Sequence, residues 1–235
     1  MILLTGFLKG QEPFEKYPAI SYLEFKDWKH YEKTEKVHHT LTIPNFFKNH
    51  DSITIQLTSF SNNWDSSYLR IFRNKKQIQK IFEPMGFSSM NIFEPIRTAD
   101  INGDGFIDLK IIIPYLGNGI ASLNVRVIYL FQKPGGDFTK ISFDDKMNGN
   151  RSERDFDGDK NYEIITMTLT SYENHSYWLY NLYDYSSNSL INVNAKYDYP
   201  IMIQFLYRVN HQITDKITRQ KMKDFALPLP KGLDN

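Results

Sequence analysis

The 235-residue chain contains no cysteine. That excludes disulfides, thiolate zinc centres and a cysteine nucleophile. Neither sign of charge is in excess: 28 Lys and Arg face 27 Asp and Glu, a net charge of +1. So balanced a chain has no global field to gather nucleic acid or an anionic membrane surface, and no nucleic-acid partner is expected. No apolar run approaches the length of a bilayer span, so the protein is expected to be soluble. The opening "MILLTGFLKG" starts with only four apolar residues and has no basic stretch ahead of them, too little for a signal segment. Metalloprotease HExxH, Gly-x-Ser-x-Gly and Walker-type loops are all missing. The short "GNG" (117–119) and "PGG" (134–136) read as hairpin turns instead.

What the chain does have is aromatic and β-branched sequence. Aromatic residues make up 15 %, with 15 Tyr and 17 Phe, a bias toward strands and broad contact surfaces. Residues 1–36, with Pro13 and Pro18 among many Lys and Glu, read as an arm or leading strand. Residues 37–235 read as a single β domain. "DSITIQLTSF" alternates Ile53, Ile55 and Leu57 with polar residues, the period of a half-buried strand. "SYLRIFRNKKQIQKIFEP" reads as a hairpin turning near Asn74–Lys76 and closed by Pro84. "YPIMIQFLYRVN" alternates again as a closing strand. Ile213, Ile217 and Met222 then fall at helical spacing, which predicts a short C-terminal helix.

Between these lies an internal repeat. "DINGDGFIDLKIII" (100–113) is echoed by "DFDGDKNYEIITMT" (155–168), an offset of 55 residues. The match continues beyond the loops, so units of about 98–150 and 153–199 each read as acidic loop, strand, turn, strand, turn, strand. The predicted fold class is therefore all-β, propeller-like or a repeated meander. Crowded carboxylates repel one another unless a cation or a tight hydrogen-bonded turn compensates. Alternate side chains of a curled loop converge, and calcium accepts six to eight oxygens in irregular geometry. The candidate ligands are Asp100, Asn102, Asp104, the Phe106 carbonyl and Asp108, then Asp155, Asp157, Asp159, the Asn161 carbonyl and Glu163. An EF-hand is disfavoured, because its twelfth-position glutamate is replaced by Ile111 and Thr166, and because strands rather than helices follow. A metal-free Asp/Gly turn held by Asx-type bonds is the alternative.

These loops resemble the calcium loops of FG-GAP and VCBS-type repeats, in which Asp-x-Asn/Asp-x-Asp-Gly-x-x-Asp opens a propeller blade. The first loop matches at every ligand position. The second departs, with Lys160 where glycine is expected and Glu163 in place of the last aspartate. The resemblance implies one or two structural calcium ions. The order of hairpin, acidic loop and "VIYLFQKPGGDFTKI" also resembles small bacterial envelope proteins that act as lysozyme inhibitors or immunity proteins. That implies a non-enzymatic binding protein in the periplasm or at the cell surface, with a secreted hydrolase or toxin as partner.

Other residues carry weaker signals. His38 and His39 are adjacent and face opposite ways on a strand, so they do not share a metal. Four acidic or amide groups within nine residues fit chelation better than the divided labour of a glycosidase pair. The segments "SFSNNWDSSY" and "TSYENHSYWLY" combine aromatics with small polar residues, a contact-loop composition. They nominate Trp64, Tyr172, His175, Tyr177 and Trp178 as partner-binding residues. A carbohydrate-binding or adhesion module is the rival function on the same aromatics.

Overall fold

The computed structural model describes residues 29, 36–60, 63–85, 96–115, 117–147, 151–205 and 216–235. The chain divides into two compact units, Met1–Lys33 and Thr34–Asn235. Every element below belongs to the second unit, which is built from three four-stranded antiparallel sheets.

Sheet one is the meander β1 (Lys36–Ile43), β2 (Ile53–Phe60), β3 (Tyr68–Arg73) and β4 (Lys76–Phe82). The alternation read in "ITIQLTSF" becomes β2, with Ile53, Ile55 and Leu57 all buried. The turn from β3 to β4 is two residues, Asn74 and Lys75, with Arg73 paired to Lys76. Both turn residues have positive φ (44° and 69°), the backbone that matches the twist of a tight hairpin. Sheet two is a second meander, β5 (Arg97–Ala99), β6 (Asp108–Pro114), β7 (Asn124–Gln132) and β8 (Phe138–Lys146). In sheet three the long β10 (His175–Ser186) pairs on one side with β9 (Ile164–Tyr172). On its other side it pairs with β11 (Ser189–Asn192) and then β12 (Ile201–Gln204), end to end.

Sheet two is covered on both faces. Leu109, Ile111, Ile113, Ile128 and Leu130 join Ile53, Ile55, Leu57, Leu69 and Ile71 of sheet one in one core. Ile112, Val127, Tyr129, Phe131, Ile141 and Phe143 join Ile164, Tyr183 and Leu190 of sheet three in another. The apolar run Ile111–Ile113 of β6 follows from this double burial, since a strand covered on both faces has no polar side to alternate with. Each fully buried Leu or Ile contributes about 1.5–3 kcal/mol. A further core on sheet three packs Ile217, Met222, Phe225 and Leu227 against Tyr177, Leu179 and Met202. The expected C-terminal helix is a single turn, α1 (Arg219–Met222), capped by the Thr218 hydroxyl. Ile217 precedes it and Ile213 lies outside the described residues.

A buried ionic group ties sheets one and two together. Glu83, wholly buried after β4, accepts from Arg126 Nε at 2.7 Å and from Ser142 Oγ at 2.8 Å, and Lys140 Nζ lies 3.2 Å away. The last residues are stitched to the same place. Ser142 and Asp234 exchange two backbone hydrogen bonds, and Arg126 Nη1 donates to the Gly232 carbonyl. Removing one member of a buried ion pair strands the other in low dielectric. Glu83→Ala is therefore expected to lower the unfolding free energy by about 3–5 kcal/mol, measured by urea denaturation at neutral pH. A loss no larger than a surface substitution would show that Arg126 and Lys140 are satisfied without it.

Candidate metal centre

Both acidic loops begin as a short antiparallel pairing and end by entering a strand, β6 inside sheet two and β9 at the edge of sheet three. Ala99 pairs with Asp108 across the first. Arg154 pairs with Glu163 across the second, 55 residues on. The amides inside such a curl have no strand partner, so side-chain acceptors must supply their bonds. Three such bonds recur in the two loops. Gly105 N donates to Asp100 Oδ2 (2.9 Å), and Lys160 N to Asp155 Oδ2 (3.1 Å). Phe106 N donates to Asp104 Oδ1 and Asn161 N to Asp159 Oδ1, each at 2.8 Å. Ile101 N donates to Asp108 Oδ2 and Phe156 N to Glu163 Oε2, each at 3.0 Å. The backbone follows suit: φ is +72° and +79° at Gly103 and Gly105, and +81° and +73° at Gly158 and Lys160. Lys160 thus adopts the left-handed conformation that glycine supplies in the first loop, at the strain that a Cβ brings there.

The ninth-position acids close the curls from inside. Asp108 is fully buried and also accepts Gln132 N at 2.9 Å. Burial raises its pKa to about 6, opposed by those two amides and reinforced by the charges of Asp104 and Asp100. An acid so placed gains from a nearby cation. The outer acids converge: carboxylate oxygens of Asp155, Asp157 and Asp159 lie within 4.8 Å of one another. In the first loop Asn102 holds the third position and donates Nδ2 to Asp104 at 3.1 Å. Asp100 Oδ1 and Asn161 Oδ1 are shut off from solvent and accept no hydrogen bond. Such acceptors are costly unless something positive meets them.

The two loops touch. Tyr162 N donates to the Ile101 carbonyl at 2.8 Å, and a Cβ on Gly103 would stand 2.8 Å from the Lys160 carbonyl oxygen. Gly103 therefore serves both its own positive φ and the approach of the neighbouring loop. Lys48, just before β2, lies over the Phe106 ring at 3.9 Å. The starts of β2, β6 and β9 therefore share one end of the stacked sheets.

Sequence reasoning missed the second loop's own counter-charge. The Lys196 ammonium and the Tyr197 hydroxyl both donate to Asp157 Oδ2, and together they hold its pKa at about 2. They come from the 3₁₀ turn Asn194–Tyr197, 39 and 40 residues from Asp157, and no local spacing announces that contact. The nominated partner residues divide. Trp64, in the turn between β2 and β3, is 51 % exposed, and His175 is exposed at the start of β10. Tyr172 is half-buried against the edge of Phe225. Tyr177 and Trp178 are buried, one on each face of sheet three. They fill cores and offer no ring to a partner. His38 and His39 lie on β1, where His38 Nδ1 meets Thr58 Oγ1 at 3.0 Å.

Comparison with protein-family models, curated proteins and solved structures finds no match for this chain. No helix among the described residues is long and apolar enough to cross a membrane.

The left-handed Lys160 makes a direct test of the loop geometry. A non-glycine residue in that region costs roughly 1–2 kcal/mol, partly offset by the extra freedom of an unfolded glycine. Lys160→Gly is expected to raise stability by about 0.5–1 kcal/mol, read as a small upward shift of the urea midpoint. A lowered midpoint would mean the second curl does not follow the first.

Proposed function

We propose that the two curls hold hard divalent cations, calcium foremost, as structural braces. Support comes from three convergent acids, two orphaned acceptors and a buried acid with a raised pKa, all on one twice-used backbone. Asp100, Asn102, Asp104, Asp108 and the Phe106 carbonyl would hold one ion. Asp155, Asp157, Asp159, Glu163 and the Asn161 carbonyl would hold a second, once Lys196 releases Asp157. Calcium suits an irregular all-oxygen set better than magnesium, which demands a regular octahedron. A bound ion would supply positive charge where the closing acids lack it, locking the entries of β6 and β9. In the resemblance to FG-GAP and VCBS-type repeats, the sheets would be successive propeller-like blades.

Such a brace points to a non-enzymatic binding protein. We place it outside the cytoplasm, where calcium fills loops of modest affinity, and read it as an inhibitor or immunity protein directed at a secreted hydrolase or toxin. The β2–β3 and β9–β10 connections, with Trp64, Tyr172 and His175, lie at the end opposite the acidic curls and supply the contact surface. Of the two nominated tryptophans Trp64 is exposed and Trp178 buried, which favours a protein partner over a carbohydrate platform built on several flat exposed rings.

The ion reading is tested by melting with calcium and with chelator. Ligand at about a hundred times its dissociation constant adds roughly 2.7 kcal/mol, so calcium should raise Tm by about 5–10 °C. Asp104→Ala should remove most of that gain, and identical wild-type melting in both conditions would sink the reading. The functional reading is tested by assaying lysozyme-type hydrolases on cell-wall substrate with the protein present. Stoichiometric inhibition that weakens in Trp64→Ala supports it, whereas retention on polysaccharide beads without inhibition supports the glycan-binding alternative.

A further inference from the structure

Sheet one turns one face to the core and one away from it. Ile53, Ile55, Leu57, Leu69 and Ile71 point inward, and the alternate residues of β2 and β3, with their partners on β4, form the outer face. No acid stands on any of the four strands, whereas Lys36, Arg70, Arg73, Lys76 and Lys80 do. The described acids that flank these strands lie elsewhere. Asp51 is held by Arg73, Glu83 is buried against Arg126, and Asp65 sits in the β2–β3 turn.

Two of these cations face each other. Arg70 is paired directly with Lys80 across β3 and β4, one row from the pair Tyr68 and Phe82. Like charges directly opposite on one face of a sheet repel. The Tyr68 ring offsets part of that repulsion: the Arg70 guanidinium lies 5.0 Å and the Lys80 ammonium 4.3 Å from its centroid. Lys80 is also 4.6 Å from the Phe82 centroid. Neither cation forms an ion pair among the described residues, and Arg70 Nε is closed off from solvent with no acceptor. An orphaned donor beside two unpaired cations is a place for an anion.

The surroundings say which kind. Tyr68 is buried and overlaid by both cations, so its ring is not free to stack on a base or a sugar. Two cations release few counterions, too few to drive tight binding of a polyanion. Phe82, by contrast, is 58 % exposed, and exposed Trp64 lies in the turn that leads into Tyr68. Arginine beside exposed aromatic anchors is the composition of a protein–protein hot spot.

We propose that the β3–β4 side of this face docks an acidic segment of a partner protein, with a carboxylate between Arg70 and Lys80 and an apolar side chain against Phe82. The inference rests on the binding-protein reading above and names the chemistry of the partner's surface. The probe is a fluorescein-labelled copolymer of glutamate and tyrosine, titrated with the full chain by fluorescence anisotropy at low salt. Saturable binding is expected. It should weaken about fivefold in Lys80→Gln, the scale of one exposed ion pair, and by a similar factor in Phe82→Ala. Both residues are exposed on the edge strand β4, so the fold survives either change. Lys133→Gln, in the β7–β8 turn, should leave the affinity unchanged. Heparin, oligothymidylate and phosphatidylserine vesicles, titrated alongside, should bind more weakly. An unbound copolymer, equal losses in Lys133→Gln and Lys80→Gln, or tighter binding of any of the other three polyanions would overturn the proposal. No hydrolase enters this titration, so its failure leaves the inhibitor reading standing, and a failed inhibition assay leaves this surface standing.

Discussion

The structure rests on a backbone problem solved the same way twice. A nine-residue curl leaves amides with no strand to pair with, and buried or half-buried amides must find acceptors. Asp100, Asp104 and Asp108 supply them in one curl, and Asp155, Asp159 and Glu163 in the other. The solution gathers negative charge at the entrances of β6, an inner strand of sheet two, and of β9, which pairs with β10 at the edge of sheet three. Hydrogen bonding within the curl explains its shape. It leaves charge to be compensated: Lys196 meets Asp157 in the second curl, while the closed-off Asp100 Oδ1 of the first accepts no hydrogen bond.

That charge sits at the edge of a stack with little slack. Sheet two has apolar cores on both faces, so a shift of the Asp108 curl would be carried along β6 into both. The Glu83, Arg126 and Ser142 group and the paired C-terminal residues restrain the same sheet from its β8 side. One end of the stack is therefore organised by acids at the strand entrances. The other carries the connections with exposed Trp64 and His175.

Much of this was legible in the residues themselves. Alternation announced β2, the β-branched residues after Asp108 announced a strand, and the 55-residue echo foretold two curls that share three side-chain-to-amide bonds. Illegible features depended on distant contacts or on double burial. "TSYENHSYWLY" resembled a contact loop, yet its turn is only Glu173 and Asn174, and the remainder is strand. Sheet three is covered on both sides, so Tyr177 and Trp178 can alternate faces and both be buried. Lys196 reaches Asp157 because β11 returns the chain along β10, a consequence of topology that no short window contains. The C-terminal helix shrank to one turn, since Ile217 packs ahead of it and needs no helical phase.

Counting ions in the intact protein tests the central claim most directly. Native mass spectrometry from a calcium-containing volatile buffer, with magnesium as the control metal, reads the stoichiometry without reference to stability. The account predicts one or two calcium ions retained by the wild-type chain, one fewer after Asp100→Ala, and no comparable retention of magnesium. A wild-type chain that retains no more calcium than an Asp100→Ala, Asp155→Ala double variant would contradict it, leaving the curls as turns held by hydrogen bonds alone.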